Sequence, residues 1–300
     1  MVRSSRVVLE ATVTQDNEPA IAAVRQARAM SQNAARRLFA TGKVYVDGKP
    51  CLDWWQPLPV GSSLSVNTDR RNLRRMPELT ASHIVFQDAS VVVVNKPAGL
   101  VSVPPTTTGE PTTLELLTGL LAESKSGQIP VALHRLDRDT RGLMLFGLSG
   151  CDLSSLRDQF ANHQVTRLYY AMVEGHPKAT VLESTIDVTR EQHRGKQHQQ
   201  YARTEIEPVR RAGPCTLLKC RPHTGRYHQI RIQLADSGYP LVGDRQHHPG
   251  TAMVKSRWLG LQSFFVSFRR PDNKGRKEIS LPLDPDFVRL MERLEAESTT

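Results

Sequence analysis

Residues 131–146 constrain this chain more than any other stretch. Apolar runs at 131–133 and 143–146 bracket His134, Arg135, Asp137, Arg138, Asp139, Thr140 and Arg141. The runs read as buried strands, with Gly142 at the re-entry to the second. The turn between them holds two carboxylates, three guanidiniums and an imidazole, where a structural turn needs one or two polar residues and a glycine. Charge at that density, held between buried strands, is costly unless paired. Two readings stand: a solvated hairpin with surface ion pairs, or a site whose working residue is Asp137. Asp139 is expected to pair with Arg138 or Arg141.

The charge balance says what such a site would meet. The 300 residues carry 40 Lys and Arg against 30 Asp and Glu, a net charge of +10, which favours a polyanionic partner through phosphate contacts and counterion release. With 39% apolar residues the chain can build real cores, as one large domain plus a small one or as two of middling size. Cys51, Cys151, Cys215 and Cys220 are scattered without a Cys-x-x-Cys pair, so reduced thiols and a cytoplasmic protein are expected. Residues 1–10 lack an apolar signal core, and the valine run at 91–94 is too short to cross a bilayer. His193 and His198 lack a Cys or carboxylate at ligand spacing, so no metal is expected. With no Walker, dinucleotide or zinc motif, no cofactor is expected either.

Residues 20–40 are rich in Ala, Arg and Gln and free of Gly and Pro, which predicts helix. Ser31 is a plausible N-cap dividing it in two, and Thr41-Gly42 a C-cap pair. Val44 and Val46 alternate with polar residues, Asp47-Gly48 is a hairpin turn, and 60–66 is a short closing strand. Two short helices and a basic ribbon carrying Gly42-Lys43-Val44-Tyr45-Val46-Asp47-Gly48 resemble the S4-type RNA-binding domain, here at residues 18–67. The opening Arg-Leu-Asp of that family is missing. Arg36, Arg37, Lys43 and Lys49 are the candidate phosphate contacts. Residues 68–80, dense in arginine, read as a basic linker to a body at 81–297.

In the body, 84–86 and 91–94 read as strands and 95–105 as an irregular ordered loop. Residues 113–121 and 153–162 read as amphipathic helices, 166–175 as a strand, and 185–201 as a mobile insertion or long hairpin. Strands follow at 202–209, 215–221 and 258–268, with a helix at 284–297. Residues 221–234 turn at Thr224-Gly225 and, as a strand, would put His228, Ile230, Ile232 and Leu234 on one face and Gln229, Arg231 and Gln233 on the other. Without a regular βαβ rhythm the class is α+β, with a mixed, largely antiparallel sheet.

Three stretches together resemble the RluA-type pseudouridine synthases: Asp88 with Asn95-Lys96-Pro97-Ala98-Gly99, the run His134 to Leu143, and Thr224-Gly225-Arg226-Tyr227-His228-Gln229-Ile230-Arg231. The resemblance spans about residues 84–283. It implies Asp137 as the catalytic aspartate, Arg231 as its cationic partner and Tyr169 as the aromatic that packs on the target base. His134, Arg135, Thr140, Arg226, His228 and Lys96 complete the candidate substrate-binding set, with Lys96 and Pro97 in a structural loop near the site. Arg141 stands where a Ser is usual, Tyr227 for a Thr and Gln233 for a His. Residues 245–249 replace the usual Tyr-Gly after Gly243-Asp244.

The implied reaction breaks the N1–C1′ bond of a uridine, turns the base over and joins C5 to C1′. A carboxylate at the sugar would act as nucleophile or base, an arginine would keep it ionised, and a ring would stack on the extruded base. The expected partner is RNA, ribosomal rather than transfer, met by a monomer without an obligate protein partner. Two competing readings are a non-catalytic RNA-binding or ribosome-assembly factor and a glycosidic hydrolase using Asp137 with Asp139. Two residues apart on one strand, those carboxylates leave no room for a water.

Overall fold

The structure, a computed structural model, describes residues 7–40, 43–51, 54–67, 77–103, 112–123, 127–187, 199–272 and 275–298. The chain divides into two compact units, Met1–Met76 and Pro77–Thr300. The basic stretch 68–76, the Thr41-Gly42 cap and the histidines His193 and His198 lie outside the described residues.

In the first unit, β1 (Val7–Thr12) and β2 (Glu18–Pro19) lead into α1 (Ala20–Arg28) and α2 (Gln32–Ala40). The expected break falls where Ala29 turns left-handed (φ 39°), and Ser31 Oγ accepts from the Ala34 amide at 3.3 Å, the N-cap bond its sequence position predicts. Then come β3 (Val44–Val46), β4 (Lys49–Pro50), β5 (Pro57–Leu58) and β6 (Ser63–Asn67). Asp47 and Gly48 both have positive φ, at 49° and 74°, as a two-residue primed hairpin turn requires. Strand β1, unexpected from the sequence, lies antiparallel on β6 and completes a four-stranded sheet in the order β1-β6-β3-β4. Val24, Ala35, Phe39, Val44, Leu58, Leu64 and Val66 form the core.

The second unit opens with β7 (Ile84–Gln87) and β8 (Val91–Lys96), then α3 (Thr113–Glu123), β9 (Pro130–Ala132), β10 (Arg141–Leu148) and α4 (Ser154–Ala161). It continues through β11 (Thr166–Glu174), β12 (Thr180–Asp187), β13 (Gln199–Ala212), β14 (Cys215–Pro222), α5 (Gln229–Asp236), β15 (Leu261–Arg269), β16 (Arg276–Ser280) and α6 (Pro285–Ser298). Among the described residues these strands form one ten-stranded sheet along the path β12-β13-β14-β11-β15-β10-β8-β7, with β16 on β15 and β9 on β10. Its pairings are antiparallel apart from the parallel contact of β10 with β15. The expected α+β class with a mixed, largely antiparallel sheet is what forms. The ends of the polar stretch 185–201 are strands, the tips of the β12–β13 hairpin.

Valines 91–94 are fully buried because both faces of β8 are covered, each such side chain contributing about 1.5–3 kcal/mol relative to exposure. Val91 and Val93 pack with Leu143, Leu145, Leu156, Val266 and Phe268 beneath α4. A second cluster joins Met172, Leu217 and Val242 to Phe287, Leu290, Met291 and Leu294 of α6. The first of these cores grips β10 and, through Val131 and Leu133, the approach to the turn at 134–140, so that turn is presented by rigid elements.

Residues 221–234 depart from expectation: the segment turns at 224–227 and enters α5, with His228 left-handed (φ 51°) at its start. The alternation of polar and apolar residues suggested a strand because polar side chains were assumed to face water. Here Gln229, Arg231 and Gln233 are buried with Ile230 and Leu234, because each has polar partners inside. Gln229 donates to Arg203 O at 3.0 Å and accepts from Thr224 Oγ1 at 2.7 Å. Gln233 donates to Leu182 O and Ala202 O, each at 3.1 Å. Gln233 thus buttons α5 onto β12 and β13.

Arg141 is also placed differently. It reaches Asp284 and Asp286 at 2.5 and 2.9 Å rather than Asp139, and its guanidinium lies over the Trp258 ring. It ties the exit of the turn to the start of α6. Beside it, Gly142 has φ 106°, and a Cβ there would lie 2.0 Å from Ser263 O. No side chain fits at this close approach of β10 to β15. Gly142→Ala should therefore cost roughly 3 kcal/mol or more, read as a lowered denaturant midpoint; an unchanged midpoint would show that the strands can part there without cost.

Candidate active site

The turn 134–140 is held from below by the loop that follows β8. Lys96 is fully buried, and its ammonium donates to Leu100 O at 2.8 Å, Arg138 O at 2.9 Å and Pro97 O at 3.1 Å. The Gly99 amide donates to the same Arg138 carbonyl at 2.8 Å. Ser102 Oγ donates to Leu136 O at 2.6 Å and accepts from Leu136 N at 3.0 Å. The Lys-Pro-Ala-Gly loop is thus a clamp on the backbone at 136 and 138, with Asp137 projecting between the two clamped residues. Lys96 was expected among substrate-binding residues; it does not line the pocket, and its three protons are all spent on carbonyls.

That pocket has a volume of about 400 Å³ and is lined by Arg135, Asp137, Thr140, Arg167, Tyr169, Arg226, Tyr227, His228 and Arg231, among others. It brings together seven of the residues expected from the sequence. His134 is outside it: its ring stacks on Phe160 at 5.0 Å and Nε2 accepts from the Leu145 amide at 3.0 Å, which pins β10. Burial, and then the Arg167 charge, push His134 down to about 3, so it is the neutral ring that makes this bond. Asp139 is exposed and does not line the pocket, which removes the paired-carboxylate arrangement a hydrolase would need. Of the N-terminal candidates, Lys43 is half-buried, while the side chains of Arg36, Arg37 and Lys49 lie outside the described residues.

Arg231 organises the pocket's electrostatics. It makes a two-pronged ion pair with buried Asp244, both bonds at 2.8 Å, the fork geometry in which guanidinium and carboxylate match best. Burial alone would raise the Asp244 pKa, but the Arg231 hydrogen bonds and charge outweigh it and hold the carboxyl below its ordinary value. The remaining Arg231 nitrogen lies 3.6 Å from Asp137, too long for a hydrogen bond. Asp244 therefore fixes the arginine, and Asp137 feels its charge while keeping both oxygens open to the pocket. Burial pushes the Asp137 pKa up; Arg231 and then Arg135 pull it back.

The same Arg231 nitrogen donates to His228 Nε2 at 2.9 Å. An arginine has no acceptor, so Nε2 must be unprotonated. His228 Nδ1 then carries the proton and donates to His247 Nε2 at 2.8 Å. Burial, with the Arg231 and His247 charges, pushes His228 down to about 3, in agreement with this tautomer. Its Nε2 lies 3.7 Å from Asp137, so His228 acts there as a neutral prop rather than a cation. Only a helix brings residues 228 and 231 to one side; in the expected strand they would have faced apart. Tyr227 stacks on the His228 ring at 3.7 Å.

Tyr169 is buried at the pocket wall on β11, and burial raises its pKa, keeping the phenol protonated. Arg167, two residues earlier on the strand, joins it in the pocket. Sequence reasoning passed over Arg167, although the strand's period of two placed it beside Tyr169. Asp244 was read only as part of a motif and His247 only as a departure from one. Nothing in their spacing from residue 231 announced the contact.

The fold is shared with a solved structure, and sequence relatives give the family. The human RNA pseudouridylate synthase domain containing 4 superposes with a TM-score of 0.59 at 22% identity, over 71% of this chain and 93% of that one. A family profile described as RNA pseudouridylate synthase matches residues 90–236. The ribosomal large subunit pseudouridine synthase D of Neisseria meningitidis is 32% identical over 255 residues, 78% of this chain and 67% of that protein. The RNA pseudouridine synthase YlyB of Bacillus subtilis is 32% identical over 285 residues, 88% of this chain and 89% of that protein. The dual-specificity RNA pseudouridine synthase RluA of Vibrio vulnificus is 30% identical over 214 residues, 68% of this chain and 84% of that protein. The chain belongs to the RluA-type family of RNA pseudouridine synthases, which are isomerases.

The charge arrangement has a measurable consequence. The Asp137 carboxyl should titrate above the ordinary aspartate value, because burial is the largest influence on it. Removing a cation that opposes this should raise it further, more for Arg231→Gln than for the exposed Arg135→Gln. Carboxyl carbon NMR across pH reads the shift; a downward move in either variant would contradict the arrangement.

Proposed function

We propose that this chain converts uridines of structured ribosomal RNA to pseudouridine, with Asp137 as the catalytic carboxylate. The observation that carries the reading is that Asp137 is the single carboxylate, among the described residues, lining a pocket that also holds four arginines and the rings of Tyr169, Tyr227 and His228. Four arginines there suit a polyanionic strand, and Tyr169 offers a ring against which an extruded uracil can pack. The glycosidic N1–C1′ bond breaks, the freed base turns, C5 bonds to C1′, and the C5 proton leaves. Asp137 can serve as nucleophile at C1′ or as base on the sugar, and Arg231 favours its ionised form in either role. Arg135 and Arg226, at the mouth, would hold phosphates on either side of the target. Ribosomal RNA is favoured because relatives in Neisseria, Zymomonas and Borreliella are named ribosomal large subunit pseudouridine synthase D.

Asp137→Asn keeps the shape and removes the charge. It should abolish pseudouridine formation in ribosomal RNA while changing RNA affinity by no more than about threefold, some 0.6 kcal/mol. Retained turnover, followed by mass spectrometry of digested RNA, would sink the assignment.

The first unit would act as an S4-type RNA-binding module, with residues 68–80 as a basic linker and Arg36, Arg37, Lys43 and Lys49 as phosphate contacts. Its two helices and the tight Asp47-Gly48 ribbon support that reading. Deleting residues 1–76 should weaken binding to structured RNA and flatten its salt dependence, since fewer counterions are released. Unchanged affinity across a salt series would assign the unit another role.

A further inference from the structure

A second cavity, of about 410 Å³, lies outside the catalytic pocket and is lined by Gln159, His163, Gln164, Thr166, Arg221, Arg269 and Arg276. Its cations come from three strands, β14, β15 and β16, and converge on the turn that joins α4 to β11. Among the described residues none of the three guanidiniums is paired with a carboxylate. The cross-strand neighbour of Arg221 is Glu205, but no ion pair joins the two; the Glu205 carboxylate lies 2.8 Å from His223 Nε2 and 3.8 Å from Arg203. Arg276 donates to Ser267 Oγ at 3.0 Å, a neutral group. Arg269 is held by its backbone alone, Gln159 bonding its amide at 2.7 Å and its carbonyl at 3.0 Å. Like charges gathered this way repel one another unless an anion joins them.

The cavity adjoins the catalytic pocket. Thr166 lines one and Arg167 the other; Arg221 lines one and Pro222 the other. Successive strand residues point to opposite faces, so the two cavities open on opposite faces of the sheet at the same strand ends, where β11 begins and β14 ends. His163 stands between them: it lines the second cavity and feels the charges of Arg226 and Arg167, which line the first. A chain leaving the catalytic pocket past Arg167 and Arg226 needs only to turn over the edge at residues 166 and 222 to reach this second group of arginines.

We propose that the cavity of Arg221, Arg269 and Arg276 receives a backbone phosphate of the RNA strand that flanks the target nucleotide. Planar guanidiniums match phosphate oxygens with paired N–H donors, and Gln164 and Thr166 add neutral donors beside them. The inference rests on the reading that the chain acts on RNA, and it names where the strand runs once its target uridine is in the pocket.

The test uses the full chain, deproteinised bacterial large-subunit ribosomal RNA and the double variant Arg221→Gln/Arg269→Gln. Both side chains are exposed and make no ion pair among the described residues, so thermal stability should match the parent. Affinity should fall about tenfold, and the slope of log affinity against log salt should lose roughly one to two units, one for each phosphate contact removed. KM should rise with kcat held, because the reacting atoms are untouched. Arg221→Lys/Arg269→Lys, which keeps the charge, should recover most of the salt slope. An unchanged slope and affinity in the glutamine variant overturn the phosphate site. Binding is read without turnover, so an inactive parent would sink the pseudouridine reading and still leave this site decided by the salt series.

Discussion

The turn that carries Asp137 depends on one buried ammonium. Lys96 has no exposed surface, and burying a cation costs several kcal/mol unless its protons are met. Here Pro97, Leu100 and Arg138 supply three carbonyls, and the Asp139 and Asp137 carboxylates add favourable charge. Burial still pushes its pKa down to about 7, while three carbonyl acceptors call for all three ammonium protons. The result is a cross-brace between a strand end and the turn 42 residues later. With Ser102 gripping Leu136 on the other side, the backbone around Asp137 has little freedom, and the carboxylate is delivered to the pocket at a set angle.

The second organising interaction is a division of labour between two aspartates over one arginine. Asp244 takes the two good hydrogen bonds and fixes Arg231. Asp137 takes the charge without the bonds and stays open to a substrate. His228 completes the arrangement by accepting from Arg231, a role it can play only as a neutral ring. His247 holds that ring's other nitrogen. A reactive carboxylate needs a partner close enough to favour its ionised form, yet not so close that its lone pairs are consumed. The 3.6 Å separation of Arg231 from Asp137 meets both needs.

Much of this was legible before any coordinates. The dense polar turn between buried runs, the αα-ribbon of the first unit, the strands at 84–96 and 166–174 and the closing helix all follow local pattern. The readings that failed share one cause: they judged polar residues by an assumed exposure. Gln229, Arg231 and Gln233 looked like the wet face of a strand and are buried, hydrogen-bonded residues on different sides of a helix. Arg141, one of two candidate partners for Asp139 beside Arg138, instead spans to the start of α6, over a hundred residues away in the chain. His134 and Lys96, grouped with substrate contacts, are internal braces. In each case the deciding partner is distant in sequence, beyond what periodicity can register.

By itself the sequence determined the α+β class and singled out Asp137, Tyr169 and Arg231, which the fold gathers in one pocket, because these rest on residue type and short-range pattern. Tertiary structure alone decided which charges pair. It assigned Arg231 to Asp244 first and Asp137 second, set the His228 tautomer, and drew unpaired arginines from three strands to one rim. Those outcomes are set by distances of a few ångströms between side chains far apart in the chain, where hydrogen-bond geometry and desolvation compete and no local rule applies.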